Sequence, residues 1–185
     1  MSSVISESAA SAQVRARWAT LCFIALGAIG VARSFDKLES AGPQIVFFGF
    51  LVWNDYYSIR YFSAILPAHK TSQIVIDGGL LIAHLILVLC FANPRNFFVG
   101  MAGLFTLATL KYAYELPFIK EPSKLYRKIK IDAMGALACV LATAGIVLGH
   151  SFAASMVWTV VFGGASIYVI HLRPLYRNIH VDSGL

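Results

Sequence analysis

Charge is scarce in this chain. Asp, Glu, Lys and Arg make up only 13% of its 185 residues, about half the soluble norm of roughly 25%, so a solvated surface cannot be built from them. Cysteine is scarce as well. Cys22, Cys90 and Cys139 stand far apart inside apolar runs, with no C-x-x-C and no histidine at ligand spacing. That excludes a disulfide framework and argues against a zinc site, leaving three thiols that read as small hydrophobes. Signatures of chemistry are missing too. The chain has no H-E-x-x-H, no G-x-S-x-G, no P-loop and no Gly-rich dinucleotide loop. It also lacks the clustered aspartates of a metal-dependent phosphotransferase, so no catalytic residue, metal or cofactor is assigned.

What is present is apolar. Hydrophobic residues are 58% of the chain and mean hydropathy is +0.73, well above the soluble range. Measured against the ~20 residues that cross a bilayer core, the apolar runs predict an all-α integral membrane protein of about six transmembrane helices in a compact bundle. The expected spans are 18–33, 43–62 with Pro43 at the helix start, 73–92, 96–116, 129–149 and 152–172. A mobile tail (1–14), a membrane domain (15–173) and a second tail (174–185) complete the layout. The first apolar run has no small-x-small site near its end, so it reads as an uncleaved helix and not as a signal peptide.

The net charge of +6 belongs to topology. Arg15, Arg17, Arg60, Lys70, Lys120, Lys124, Arg127, Lys128, Lys130, Arg173 and Arg177 all fall on one side of the expected spans. Only Arg33, Lys37 and Arg95 fall on the other. Basic loops stay inside, so both termini are expected in the cytoplasm, with a bacterial inner membrane as the location. The expected partners are membrane lipids, a small-molecule or lipid ligand, and either a second copy or another subunit of a membrane complex. Nucleic acid is not among them.

A local repeat points to three related helical hairpins. Leu125-Tyr126-Arg127-Lys128-Ile129-Lys130-Ile131-Asp132 matches Leu175-Tyr176-Arg177-Asn178-Ile179-His180-Val181-Asp182, and a weaker copy ends in Asp77. Each follows a proline: Pro67, Pro122 or Pro174.

Ionisable groups in or beside the spans are the functional candidates, because a charge in hydrocarbon costs several kcal/mol unless paired or hydrated. Asp55, Arg60, Asp77, His84, Lys111, Glu115, Asp132, His171 and Arg173 all map to the inner half, with Asn54 beside Asp55. That predicts a polar cavity open to the cytoplasm. Asn54, Asp55, Arg60, Asp77, His84, Lys111, Glu115 and Asp132 are the expected ligand or proton-relay set. Lys111 is expected to neutralise Asp55, and Arg60 to face Glu115. Asp77 and Asp132 also have a plain explanation as carboxylates at the positive end of a helix dipole. His84 could serve a helix–helix hydrogen bond or a proton transfer. The Gly78-Gly79, Gly100/Gly103 and Gly163-Gly164 sets are expected at close helix crossings. A small transporter or ligand-binding protein, proton-linked, is the favoured function. A membrane enzyme acting on a lipid or isoprenoid and a non-catalytic accessory subunit are the alternatives.

Overall fold

The computed structural model describes residues 2–65, 71–119 and 122–176. Among them there is no strand. Six α-helices carry the fold: α1 (Ser2–Arg33), α2 (Leu38–Ile65), α3 (Thr71–Leu89), α4 (Pro94–Glu115), α5 (Pro122–Val147) and α6 (Ser151–Ile167). A 3-10 turn (Phe35–Lys37) joins α1 to α2, another (Leu116–Phe118) follows α4, and a π-helical turn (Tyr168–Leu172) prolongs α6.

Among the described residues, four segments are long and apolar enough to cross a membrane: Ala10–Arg33, Pro94–Phe118, Pro122–Val147 and Ser151–Leu172. The second and third expected spans fall short for different reasons. The apolar part of α3 is only Val75–Leu89. By contrast α2 has the length, 28 residues, but it carries Gln44, Asn54, Asp55 and Arg60. Its polarity is turned inward: Gln44, Asn54 and Ser58 are all buried, alongside Phe47, Phe48, Leu51 and Val52. It has the most buried residues of the described helices while keeping an exposed outer face at Val46 and Arg60.

Helix starts also differ from the expected ones. The helix containing the first span extends back to Ser2, through the stretch expected to be a mobile tail. Pro43 lies inside α2 and not at its start, with Glu39 instead occupying the first turn, where a carboxylate suits the helix dipole. Most consequential is α5, which begins at Pro122 and not at 129. Proline at the first helical position presets φ, so the helix forms before hydropathy rises. Lys124, Arg127, Lys128 and Lys130 are therefore helical and not loop residues. At the other end of α3, Asn93 caps α4: its side chain accepts the Asn96 N–H at 3.1 Å, with Pro94 next in line. Such a cap contributes about 1 kcal/mol.

The helices pack as a closed ring in the order α1, α2, α6, α5, α4, α3, with α3 returning to α1 and α2 touching α4 across the middle. Consecutive helices therefore pair as hairpins. The half of the ring near the α3–α4 and α5–α6 turns is filled with aromatics. Phe47 stacks on Phe162 at 4.4 Å and meets Phe97 and Phe98 edge-on, while Phe48 meets Phe91 at 5.4 Å. The outward faces are apolar: Trp18, Leu21, Ile24, Leu137, Leu141, Val157 and Val160 are all exposed. Soluble surfaces rarely display such a continuous apolar belt.

Close packing uses glycine selectively. A Cβ at Gly30 would stand 2.6 Å from the Phe91 ring and 2.7 Å from the Val88 carbonyl, so α1 and α3 touch there backbone to backbone. Gly163 similarly admits Phe50, and Gly100 admits Leu87, as expected. Gly78, Gly103 and Gly164 face open space, so those three expectations fail.

Candidate functional site

The ionisable side chains inside the bundle stand from the middle of the ring toward the ends of α2 and α4 and the start of α5, whereas the buried Gln44–Ser155 and Thr159–Pro43 contacts lie in the aromatic half. Two buried clusters stand there, separated by α2.

In the first, α3 presents His84 to Asp55 on α2. His84 Nε2 lies 2.8 Å from Asp55 Oδ2, and His84 Nδ1 lies 2.8 Å from the Leu80 carbonyl. The ring is held flat against Phe23 of α1, with centroids 4.1 Å apart and planes within 10°, and Phe48 meets it at 72°. A carbonyl oxygen only accepts, so Nδ1 carries a hydrogen and donates it. One further proton must then lie between Nε2 and Oδ2. On nitrogen it makes an imidazolium–carboxylate pair; on oxygen it makes a neutral imidazole and a carboxylic acid. Both states are neutral overall, and removing the proton leaves two lone pairs facing each other beside two phenylalanine rings. The His84 side chain is 4% exposed and the Asp55 side chain 20%, so the carboxyl is the end that meets the outside.

In the second cluster, Lys128 Nζ donates to Asp132 Oδ1 at 2.7 Å, one turn apart on α5, and both residues are buried. Lys128 also lies 5.7 Å from the centre of the Tyr112 ring. The Tyr112 hydroxyl meets Ser58 Oγ at 2.9 Å, and the Tyr176 hydroxyl donates to Asn54 Oδ1 at 3.0 Å. Tyr176 lies beyond the last apolar segment, and burial pushes its phenol above the ordinary value, while Lys128 pulls the other way. Asp132 Oδ2 is buried and accepts no hydrogen bond among the described residues.

The expected set is thus divided. Asp55 and His84 form one cluster, while Asn54 and Asp132 belong to the other. Lys111 does not reach Asp55; it pairs with Asp77 on α3. Asp77 is 55% exposed at its side chain, so this pair is the most open of the three. Nor does Arg60 join Glu115. Arg60 is exposed on α2, whereas Glu115 is buried at the end of α4. The helix-dipole account of the aspartates also fails. Asp132 lies ten residues past Pro122, and Asp77 six past Thr71, whereas the dipole acts within the first turn. His171 and Arg173 are exposed at the π-turn. Lys70, Lys120 and the second repeat copy from Arg177 to Asp182 lie outside the described residues.

Lys128, Tyr112, Tyr176 and Ser58 were not foreseen. Lys128 looked like one more basic loop residue, and nothing in the local sequence set Tyr112, Tyr176 or Ser58 apart. The four-residue spacing of Lys128 and Asp132 was the available signal, and it was hidden by placing the helix start too late. No protein family, curated protein or solved structure matches this chain.

Proposed function

We propose that the chain is a six-span membrane protein of a bacterial inner membrane, with both termini in the cytoplasm, that binds or carries a small solute in a proton-linked way. The observation that carries this reading is the 2.8 Å contact of His84 Nε2 with Asp55 Oδ2, which calls for one shared proton. The pair sits in an otherwise apolar wall, partly open on the carboxyl side and closed toward the other half of the ring by Phe47, Phe48, Phe91, Phe97 and Phe98. Such a pair holds one proton without net charge, and giving it up leaves a single negative charge on the partly open carboxyl, where a fully buried lone carboxylate would be costly. The place of α2 and α3 in the ring supports counting them with the spans. α2 packs against α1 and α6 and touches α4, α3 packs against α1 and α4, and Gln44, Asn54 and Ser58 of α2 are turned inward.

Two measurements test the proposal. Reporter fusions after Lys70, Ala92 and Glu121 should read inside, outside and inside; an outward Glu121 fusion would end the topology. Vesicles containing the purified protein and a lumenal pH dye should then be exposed to a panel of small polar metabolites. At least one should shift lumenal pH with wild type and not with His84→Gln. If no solute separates the two proteins, proton linkage is wrong.

A further inference from the structure

A second site lies on the other flank of the bundle. The α5 and α6 helices touch near their turn, where a Cβ at Gly145 would meet Ala154 at 3.2 Å, and Gly149 closes the turn at φ +92°. Further from the turn they bound a cleft of about 570 Å³. Its walls are apolar, with Leu137 and Leu141 on α5 facing Trp158 and Val161 on α6, and several of these side chains are exposed at the rim. Its inner end is polar. Asp132, Asn54 and Ser166 line it there, with Arg127 and Arg173 at the mouth. Arg127 donates to the Arg173 carbonyl at 3.0 Å, and the π-turn places Tyr168 and Arg173 at that same mouth.

Two of these groups are unsatisfied. Asp132 and Ser166 line the cleft, and Asp132 Oδ2 and Ser166 Oγ are buried behind its surface with no hydrogen-bond partner among the described residues. A buried acceptor left unmade is costly, so each calls for a donor. The rest of the cleft states what brings the donor. From Asp132 to Leu141 is roughly 14 Å of helix, close to half of a ~30 Å hydrocarbon core. An apolar slot of that length, with an exposed apolar rim and two guanidinium groups at its end, fits one chain of one leaflet lipid and its phosphate.

We propose that the α5–α6 cleft binds a membrane phospholipid whose headgroup bears a primary ammonium. The chain lies between Leu137, Leu141, Trp158 and Val161. The phosphate meets Arg127 and Arg173, and the ammonium donates to Asp132 Oδ2 and Ser166 Oγ. An ammonium is favoured over a hydroxyl because the acceptor is a carboxylate, and the charge-assisted bond is the stronger one. Lys128 already occupies Oδ1, which leaves Oδ2 to face the lipid. The proposal rests on the membrane placement above but not on the His84–Asp55 pair.

The test is native mass spectrometry of the full chain in mild detergent, with added phosphatidylethanolamine, phosphatidylglycerol and phosphatidylcholine of identical chains. One phosphatidylethanolamine should be retained about tenfold better than phosphatidylcholine, which has no N–H to donate. Asp132→Asn should collapse that ratio toward one. Because this change also leaves Lys128 without its partner, Ala138→Leu serves as the second variant. It narrows the slot without touching the polar end, and it should lower occupancy by all three lipids while preserving their ratios. Equal retention of the ethanolamine and choline lipids overturns the proposal, as does a glycerol lipid that matches the ethanolamine one, or full occupancy in Ala138→Leu. If the Glu121 fusion reads inside and the lipids are not distinguished, this inference fails alone. If that fusion reads outside, the membrane placement fails with it.

Discussion

At the scale of residues, three ion pairs differ in what they contribute because they differ in exposure. Lys128 and Asp132 are buried on one helix, so removing one leaves the other uncompensated. Lys128→Met should cost about 3–5 kcal/mol in a denaturant titration followed by circular dichroism, whereas Lys128→Met with Asp132→Leu should cost clearly less. Strictly additive effects would show that the two do not depend on each other. Lys111→Met should change stability by no more than about 1 kcal/mol, since its partner Asp77 is largely exposed. His84 and Asp55 fall between these cases. Asp55→Asn keeps a donor for Nε2 but removes the carboxyl that shares the proton, so the fold should survive. Any pH-linked solute movement should vanish with it. A retained pH dependence in the vesicle assay would place the titrating group elsewhere.

At the scale of elements, helix contacts are set by where side chains are absent. Gly30→Ala puts a methyl group into the Val88 carbonyl and the Phe91 ring, and α1 and α3 must separate. Gly164→Ala meets nothing within 4 Å and gains helix propensity of about 0.5–1 kcal/mol. Thermal melts of the two variants should move in opposite directions; parallel shifts would mean the α1–α3 crossing is looser than described. The start of α5 matters in the same way. With Pro122 at its first turn, Lys128 lies a turn and a half into the helix and points inward against Tyr112, where a loop lysine would face water.

At the scale of the whole molecule, the ring has an apolar belt outside, an aromatic plug in one half and ionisable side chains from the middle toward the other half. The thiols sample these environments. Cys22 is exposed on the outer face of α1, Cys139 is buried between helices, and Cys90 lies between those extremes. If the belt lies in lipid, a membrane-impermeant maleimide should label none of them in intact vesicles, while a small membrane-permeant reagent should reach Cys22 first. Labelling of Cys22 by the impermeant reagent from either side would mean that the outer face of α1 meets water.

The apolar segments and their helical class were legible in the sequence, because length and hydropathy act locally and need no partner. Depth along a helix was legible in part, because helix rise converts sequence position directly into depth: Glu115 ends α4, and His84 comes past the middle of α3, against Phe23 and Phe48. Pairing was not legible. Asp55 meets His84 and not Lys111 because α3, set between α1 and α4, turns His84 inward to α2 while Lys111 on α4 reaches Asp77 on α3. Which faces of two helices meet depends on the whole ring order. The α5–α6 cleft was invisible for the same reason. Asp132 and Ser166 are far apart in the chain, and only the divergence of their two helices leaves a space with both at its end.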